Sequence, residues 1–95
     1  MKIIYTDHLI SRLRLRKIPK SLAKKVYREK EAEFYDTIRH HYLALNRQEL
    51  FGKIRLVVVV FDKFEDRIEL ITLYPTDEQE VDNRIKAGRW VYEKV

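Results

Sequence analysis

The chain has 95 residues, a formal net charge of +5, two glycines, two prolines and no cysteine. Its length suits one domain around a modest core, and the lack of cysteine excludes disulfides, thiolate metal sites and a cysteine nucleophile. No apolar run approaches the ~20 residues that cross a bilayer, the first residues lack the apolar stretch of a signal peptide, and the expected setting is a reducing cytoplasm.

Charge is unevenly spread. Residues 1–30 hold ten cations against Asp7 and Glu29, a net of +8, which leaves −3 for the rest. A basic third on a near-neutral body is either a solvated helical surface or the footprint of a polyanionic partner, nucleic acid or an acidic protein. Lys17, Lys20, Lys24, Lys25 and Arg28 are the candidate RNA-binding cations of this segment.

In chain order, Lys2 to Tyr5 reads as a short apolar segment, a potential edge strand. Thr6 or Asp7 is a helix N-cap, and a first helix runs from His8 to about Lys17 with Leu9, Ile10 and Leu13 as its apolar stripe. His8, Arg12 and Leu15 or Arg16 share a flank at i, i+4 spacing. Ile18-Pro19 breaks this helix. A second helix, opening near Pro19 to Ser21, sets Leu22, Ala23, Val26 and Tyr27 against Lys20, Lys24, Lys25 and Arg28. Ala32 to Thr37 and Tyr42 to Arg47 read as paired strands, and residues 48–52 as the turn that follows. Lys53 to Asp62, with Val57, Val58, Val59 and Val60 at its centre, is the strongest strand signal. Its two faces are both apolar in the middle, which requires an interior position. Residues 62–66 form a hairpin loop, and a further strand runs from Arg67 to Tyr74, ended by Pro75. Asp77 with Glu80 caps a third helix, Gly88 ends it, and Arg89 to Tyr92 follow as an extended tail. The expected fold is α+β: two N-terminal helices, a twisted sheet of four antiparallel strands covered by helices on one face, and a C-terminal helix.

The chemistry-bearing residues are few. His40 and His41 are adjacent and point to opposite faces of a strand, so they read as surface residues. No metal-ligand spacing and no glycine-rich phosphate loop is present, so neither a metal nor another cofactor is expected. RNA cleavage by the internal 2′-hydroxyl needs no metal; it needs a base, cations for the phosphorane charge, and an acid for the leaving oxygen. Lys53, Arg55, Arg89 and Arg12 can supply charge, and His8, Tyr74 and Tyr92 can move protons. Each also has a plain structural reading: His8 hydrogen-bonded within the first helical turn, Arg12 solvated, Tyr74 a core aromatic with its hydroxyl at the surface, Arg89 paired with an acid of the third helix. Lys53 and Arg55 share a strand face by parity. A short hairpin loop brings Tyr74 beside Lys53, so Lys53, Arg55, Tyr74 and Arg89 are expected to converge, with His8 and Arg12 as a second cluster. Leu50, Phe51, Trp90 and Tyr92, in connections or the tail, are the apolar positions expected to remain exposed for a partner.

Several stretches carry a resemblance. They are Tyr5-Thr6-Asp7-His8-Leu9-Ile10-Ser11-Arg12-Leu13 with Arg16-Lys17-Ile18-Pro19, then Gly52-Lys53-Ile54-Arg55, Leu70-Ile71-Thr72-Leu73-Tyr74-Pro75 and Arg84-Ile85-Lys86-Ala87-Gly88-Arg89-Trp90. With the order of elements, they resemble the RelE/ParE toxin superfamily, and more closely its BrnT-type and related uncharacterised branch. The resemblance implies a RelE-like domain, a small cytoplasmic endoribonuclease acting on messenger RNA, free or on the ribosome, and an acidic or partly disordered antitoxin that neutralises it. It maps the strand cations of that superfamily to Lys53 and Arg55, the late-strand aromatic to Tyr74 and the C-terminal arginine to Arg89. His8 and Arg12 match the opening of the uncharacterised branch. Some members poison DNA gyrase instead of cleaving RNA, so the alternative is a non-catalytic toxin or a small RNA-binding protein.

Overall fold

The four-valine run organises the structure. In the computed structural model, which describes residues 1–93, it lies in the central strand β4 (Lys53–Lys63). Because side chains alternate along a strand, β4 feeds two cores. Val57, Val59 and Phe61 pack with Leu9, Leu13, Leu22 and Val26 on one face. Val58 packs with Phe34, Leu43, Leu45 and Trp90 on the other. Val57, Val58 and Val59 are wholly shielded from solvent.

The remaining strands are β1 (Lys2–Tyr5), β2 (Ala32–Asp36), β3 (Tyr42–Leu50), β5 (Arg67–Thr76) and β6 (Trp90–Glu93); the helices are α1 (Asp7–Leu15), α2 (Ser21–Arg28) and α3 (Glu78–Lys86). The sheet order is β1-β5-β4-β3-β2-β6. The α+β class stands, but the expected sheet of four antiparallel strands does not. The described residues form six strands, and β1 runs parallel to β5, pairing Lys2 with Arg67 and Tyr5 with Leu70. The tail expected after α3 is an edge strand, β6, antiparallel to β2. The edge strand suggested by Lys2 to Tyr5 is present, but how it and β6 pair is set by distant partners, so the periodicity of four residues carries little signal for it. Helices cover both faces, not one. Leu9, Leu13, Leu22 and Val26 of α1 and α2 join one core, while Val81 and Ile85 of α3 lean on the other. A strand apolar on both sides demands this arrangement.

Local chemistry explains most boundaries. Thr6 caps α1 by accepting from the Leu9 amide at 3.2 Å, and Asp77 caps α3 by accepting from the Glu80 amide at 2.8 Å. Gly88 ends α3 at φ +72°, where the Arg89 amide donates to the Arg84 carbonyl and the Gly88 amide to that of Ile85. Lys17, at φ +56°, does the same for α1, with the Ile18 amide on Leu13 and the Lys17 amide on Arg14. The β3–β4 turn is only Phe51-Gly52, both at positive φ, as a two-residue hairpin requires. Pro75 lies inside β5 and does not end it. β1 reaches no further than Leu70 along β5, so no strand on that side needs the amide that Pro75 lacks.

The hairpin register matters for the site. The β4–β5 ladder extends to Lys63 opposite Ile68, beyond the expected loop boundary, and slips once near Val60/Phe61. Tyr74 therefore stands opposite Val58, not beside Lys53.

Candidate functional site

Between α1, the β2–β3 turn and the end of α3 lies a cavity of about 510 Å³. Its floor is sheet: Leu43, Val60, Thr72 and Tyr74. Val60 and Tyr74 belong to the α3-side core, so the cavity occupies the part of that face that α3 leaves uncovered. Helix α1 contributes His8, Arg12 and Arg16, one i, i+4, i+8 stripe. The β2–β3 turn contributes Asp36, Arg39 and His41, and the last turn of α3 with the residue after its glycine contributes Arg84 and Arg89. Among the described residues, five arginines and two histidines thus line the space with a single carboxylate.

That carboxylate is a fixed anchor. Asp36 is 4% exposed. Its Oδ1 accepts from the amides of Ile38 and Arg39, each at 2.9 Å, and its Oδ2 lies 3.5 Å from Arg89 Nε. Burial alone would raise its pKa. The two amide hydrogen bonds, the Arg89 guanidinium and the nearby Trp90 indole outweigh that effect and hold it below the ordinary aspartate value. The indole N–H itself closes no hydrogen bond of normal geometry among the described residues. Asp36 thereby ties the turn carrying Arg39 and His41 to the segment carrying Arg89. Thr37 reinforces this junction: its amide donates to the Arg89 carbonyl at 2.8 Å and its hydroxyl to the Gly88 carbonyl at 3.1 Å.

Arg84 pairs with Glu80 at 2.8 Å and lies over the Trp90 ring at 5.2 Å. Among the described residues, Arg12, Arg16 and Arg39 have no carboxylate within ion-pair distance, so their charge is available to an anionic ligand. The Tyr74 hydroxyl likewise has no protein hydrogen-bond partner among the described residues. Burial raises its pKa above 10.0, opposed by Arg84 and assisted by Glu80 and Asp36. At neutral pH it is a proton donor.

Of the residues expected to act, the structure gathers His8, Arg12, Tyr74 and Arg89 around one space and leaves Lys53 and Arg55 out of it. Lys53 stands five residues along β4 from Val58, the partner of Tyr74, or about 17 Å at strand rise. Arg55 points to the α1–α2 face by parity and donates from Nε to the Leu50 carbonyl at 2.9 Å. The expected convergence of both with Tyr74 and Arg89 is therefore corrected, because it rested on a hairpin register that the longer ladder and its slip displace. Lys20, Lys24, Lys25 and Arg28 lie on or beside α2, which packs on the opposite face of the sheet from the cavity floor, while Lys17 follows α1 next to Arg16. Lys20 and Lys24 sit over the Tyr5 ring at 5.4 and 5.6 Å. Of the four apolar positions expected to be exposed, Leu50 and Trp90 are buried, one in each core, while Phe51 and Tyr92 are exposed.

Asp36, Arg39 and Arg84 are not among the site residues expected from the sequence, Arg16 is expected only as a flank neighbour of His8 and Arg12, and His41 only as a surface residue. Arg16 was legible as the third member of the α1 stripe. Asp36, three residues before Arg39 in a polar turn, carries the signature of a side chain capping a turn. His41 became visible only through its cross-strand neighbour. Among the described residues, no group of three His, Cys, Asp or Glu side chains converges as metal ligands, and no helix is long and apolar enough to cross a membrane. Comparison with protein-family models, curated proteins and solved structures finds no match for this chain.

Proposed function

We propose that this chain is a metal-independent endoribonuclease, the toxin of a toxin–antitoxin pair acting in the cytoplasm on messenger RNA, and that the arginine-lined cavity is its active site. The observation that carries this reading is the convergence of Arg12, Arg16, Arg39 and Arg89 on a space that also holds the free Tyr74 hydroxyl and two imidazoles. A phosphodiester brings a negative charge that grows on the non-bridging oxygens as the 2′-oxygen attacks phosphorus, and guanidinium groups are suited to it by charge and forked geometry. A cavity imidazole takes the 2′-hydroxyl proton. As the bond from phosphorus to the 5′-oxygen breaks, Tyr74 donates its proton to that oxygen. The products are a 2′,3′-cyclic phosphate and a 5′-hydroxyl. The cations of α2 form a separate basic surface that guides RNA or receives an acidic antitoxin segment.

The test is incubation of purified protein with RNA in EDTA, followed by analysis of product ends. Cleavage leaving cyclic phosphate and 5′-hydroxyl ends, lost in Arg12→Ala and Tyr74→Phe, supports the proposal. Salt-sensitive RNA binding without cleavage would reassign the cavity to a non-catalytic binding protein.

A further inference from the structure

His41 is half-buried beside the cavity, and its Nδ1 lies 2.7 Å from Asp62 Oδ1. The two residues face each other one step beyond the last β3–β4 pair, Tyr42 with Phe61. The sheet itself therefore sets their spacing. An ionised carboxylate only accepts hydrogen bonds, so the hydrogen lies on Nδ1 and the neutral ring keeps a bare Nε2. That nitrogen has no protein partner among the described residues, and the ring lines the cavity together with Tyr74 and Arg12.

The other two histidines lack this arrangement. His40 engages the Tyr35 hydroxyl through Nδ1 at 3.1 Å and does not line the cavity. His8 lines it from the exposed first turn of α1, with no carboxylate among the described residues to fix its ring. His41 has further support through its backbone: its carbonyl accepts from the Asp36 amide at 2.8 Å, so the ring is carried by the same turn that Asp36 holds in place.

We infer that His41 is the general base of this cavity, catalytic through Nε2, and that Asp62 is its positioning residue. This rests on the ribonuclease reading above. In the reaction, Nε2 takes the proton of the 2′-hydroxyl as that oxygen bonds to phosphorus, and Asp62 holds the tautomer and offsets the imidazolium that forms. Tyr74 protonates the departing 5′-oxygen. The proton on His41 and the vacancy on Tyr74 then exchange through solvent, so the protein returns to its starting state.

Two measurements test the dyad. Long-range ¹H–¹⁵N spectra of histidine-labelled protein read the tautomer without any substrate. The expected result is Nδ1–H for neutral His41 in the wild type and loss of that preference in Asp62→Asn; an Nε2–H tautomer in the wild type overturns the assignment. Single-turnover cleavage reads the role. His41→Ala should slow cleavage by about 10²–10⁴-fold with unchanged affinity for a 2′-O-methyl RNA, and added imidazole should restore part of the rate. His40→Ala, whose ring lies outside the cavity, should retain most of its activity. Asp62→Asn should slow cleavage by about tenfold or more, again without loss of affinity. An active wild type whose rate is indifferent to His41→Ala overturns the dyad and leaves the ribonuclease reading standing. A wild type inert toward RNA overturns both.

Discussion

Replacing Asp36 by alanine probes the junction that shapes the cavity, and its cost can be worked from contacts. The side chain accepts two amide hydrogen bonds at 2.9 Å and faces Arg89 at 3.5 Å, while remaining 4% exposed. Hydrogen bonds to a charged group contribute about 1.5–3 kcal/mol each. Thr37 to His40 are exposed, so water can reach the orphaned amides, which favours the lower end of that range. Asp36→Ala should therefore cost about 3 kcal/mol in urea denaturation. In a domain of this size each kcal/mol lowers the thermal midpoint by about 4–8 °C. Asp36→Asn keeps an acceptor oxygen but loses the charge, and should fall between the two. The pH dependence has a definite sign. The folded pKa of Asp36 is lowered below 3.8, so its stabilisation is complete above the ordinary aspartate range. That stabilisation disappears as pH falls through the folded value, so the gap between wild type and Asp36→Ala should narrow below about pH 4. A loss under about 1 kcal/mol at neutral pH, or a gap that does not change in acid, would refute the view of Asp36 as a charged anchor.

Other expectations concern the helix end, the displaced cations and the basic surface. Lys17 holds a left-handed conformation that suits glycine, so Lys17→Gly should raise stability by about 0.5–1 kcal/mol in urea denaturation; a loss would show that its side chain matters more than its backbone. Arg12→Ala and Arg89→Ala should each lower single-turnover cleavage by about 10²–10³-fold, whereas Lys53→Ala and Arg55→Ala should leave it unchanged; the reverse pattern would return the site to the far end of β4. Reversing Lys24 and Lys25 to glutamate should weaken RNA binding and flatten its salt dependence, by a slope of about 0.7 per lost phosphate contact on a single strand, without altering the rate of the bound complex. A change in that rate instead would place α2 in the catalytic machinery.

What could be read from the sequence tracks how local each signal is. The valine run, the Asp77 cap, the Gly88 stop and the α1 stripe are written within a few residues, and the structure contains each of them. The sheet edges are not local. Lys2 to Tyr5 forms the edge strand its apolar residues suggested, but its parallel pairing with β5, and the pairing of residues 90–93 with β2, are set by distant partners that a four-residue segment cannot announce. The same limit explains the displaced cations. Parity correctly grouped Lys53 with Arg55, but which residue of β5 stands opposite depends on where the hairpin closes and where the ladder slips. Five residues along β4 separate Lys53 from Val58, the partner of Tyr74, and Tyr74 lies instead with Arg84 and Arg89 around the cavity. His41 was discounted because adjacent histidines point to opposite faces. Both in fact precede β3, which begins at Tyr42, and the backbone at φ +59° on His40, not strand alternation, separates them: His40 meets Tyr35 and His41 meets Asp62.

The central claim is that RNA phosphate enters the cavity between α1, the β2–β3 turn and the end of α3. Amide chemical-shift mapping with a short 2′-O-methyl RNA, which binds but cannot be cleaved, tests it most directly. The account predicts perturbations concentrated at Arg12, Arg39, Thr72, Tyr74 and Arg89, lost in Arg12→Ala. Perturbations confined to Gly52 through Arg55, or to α2 alone, would contradict it.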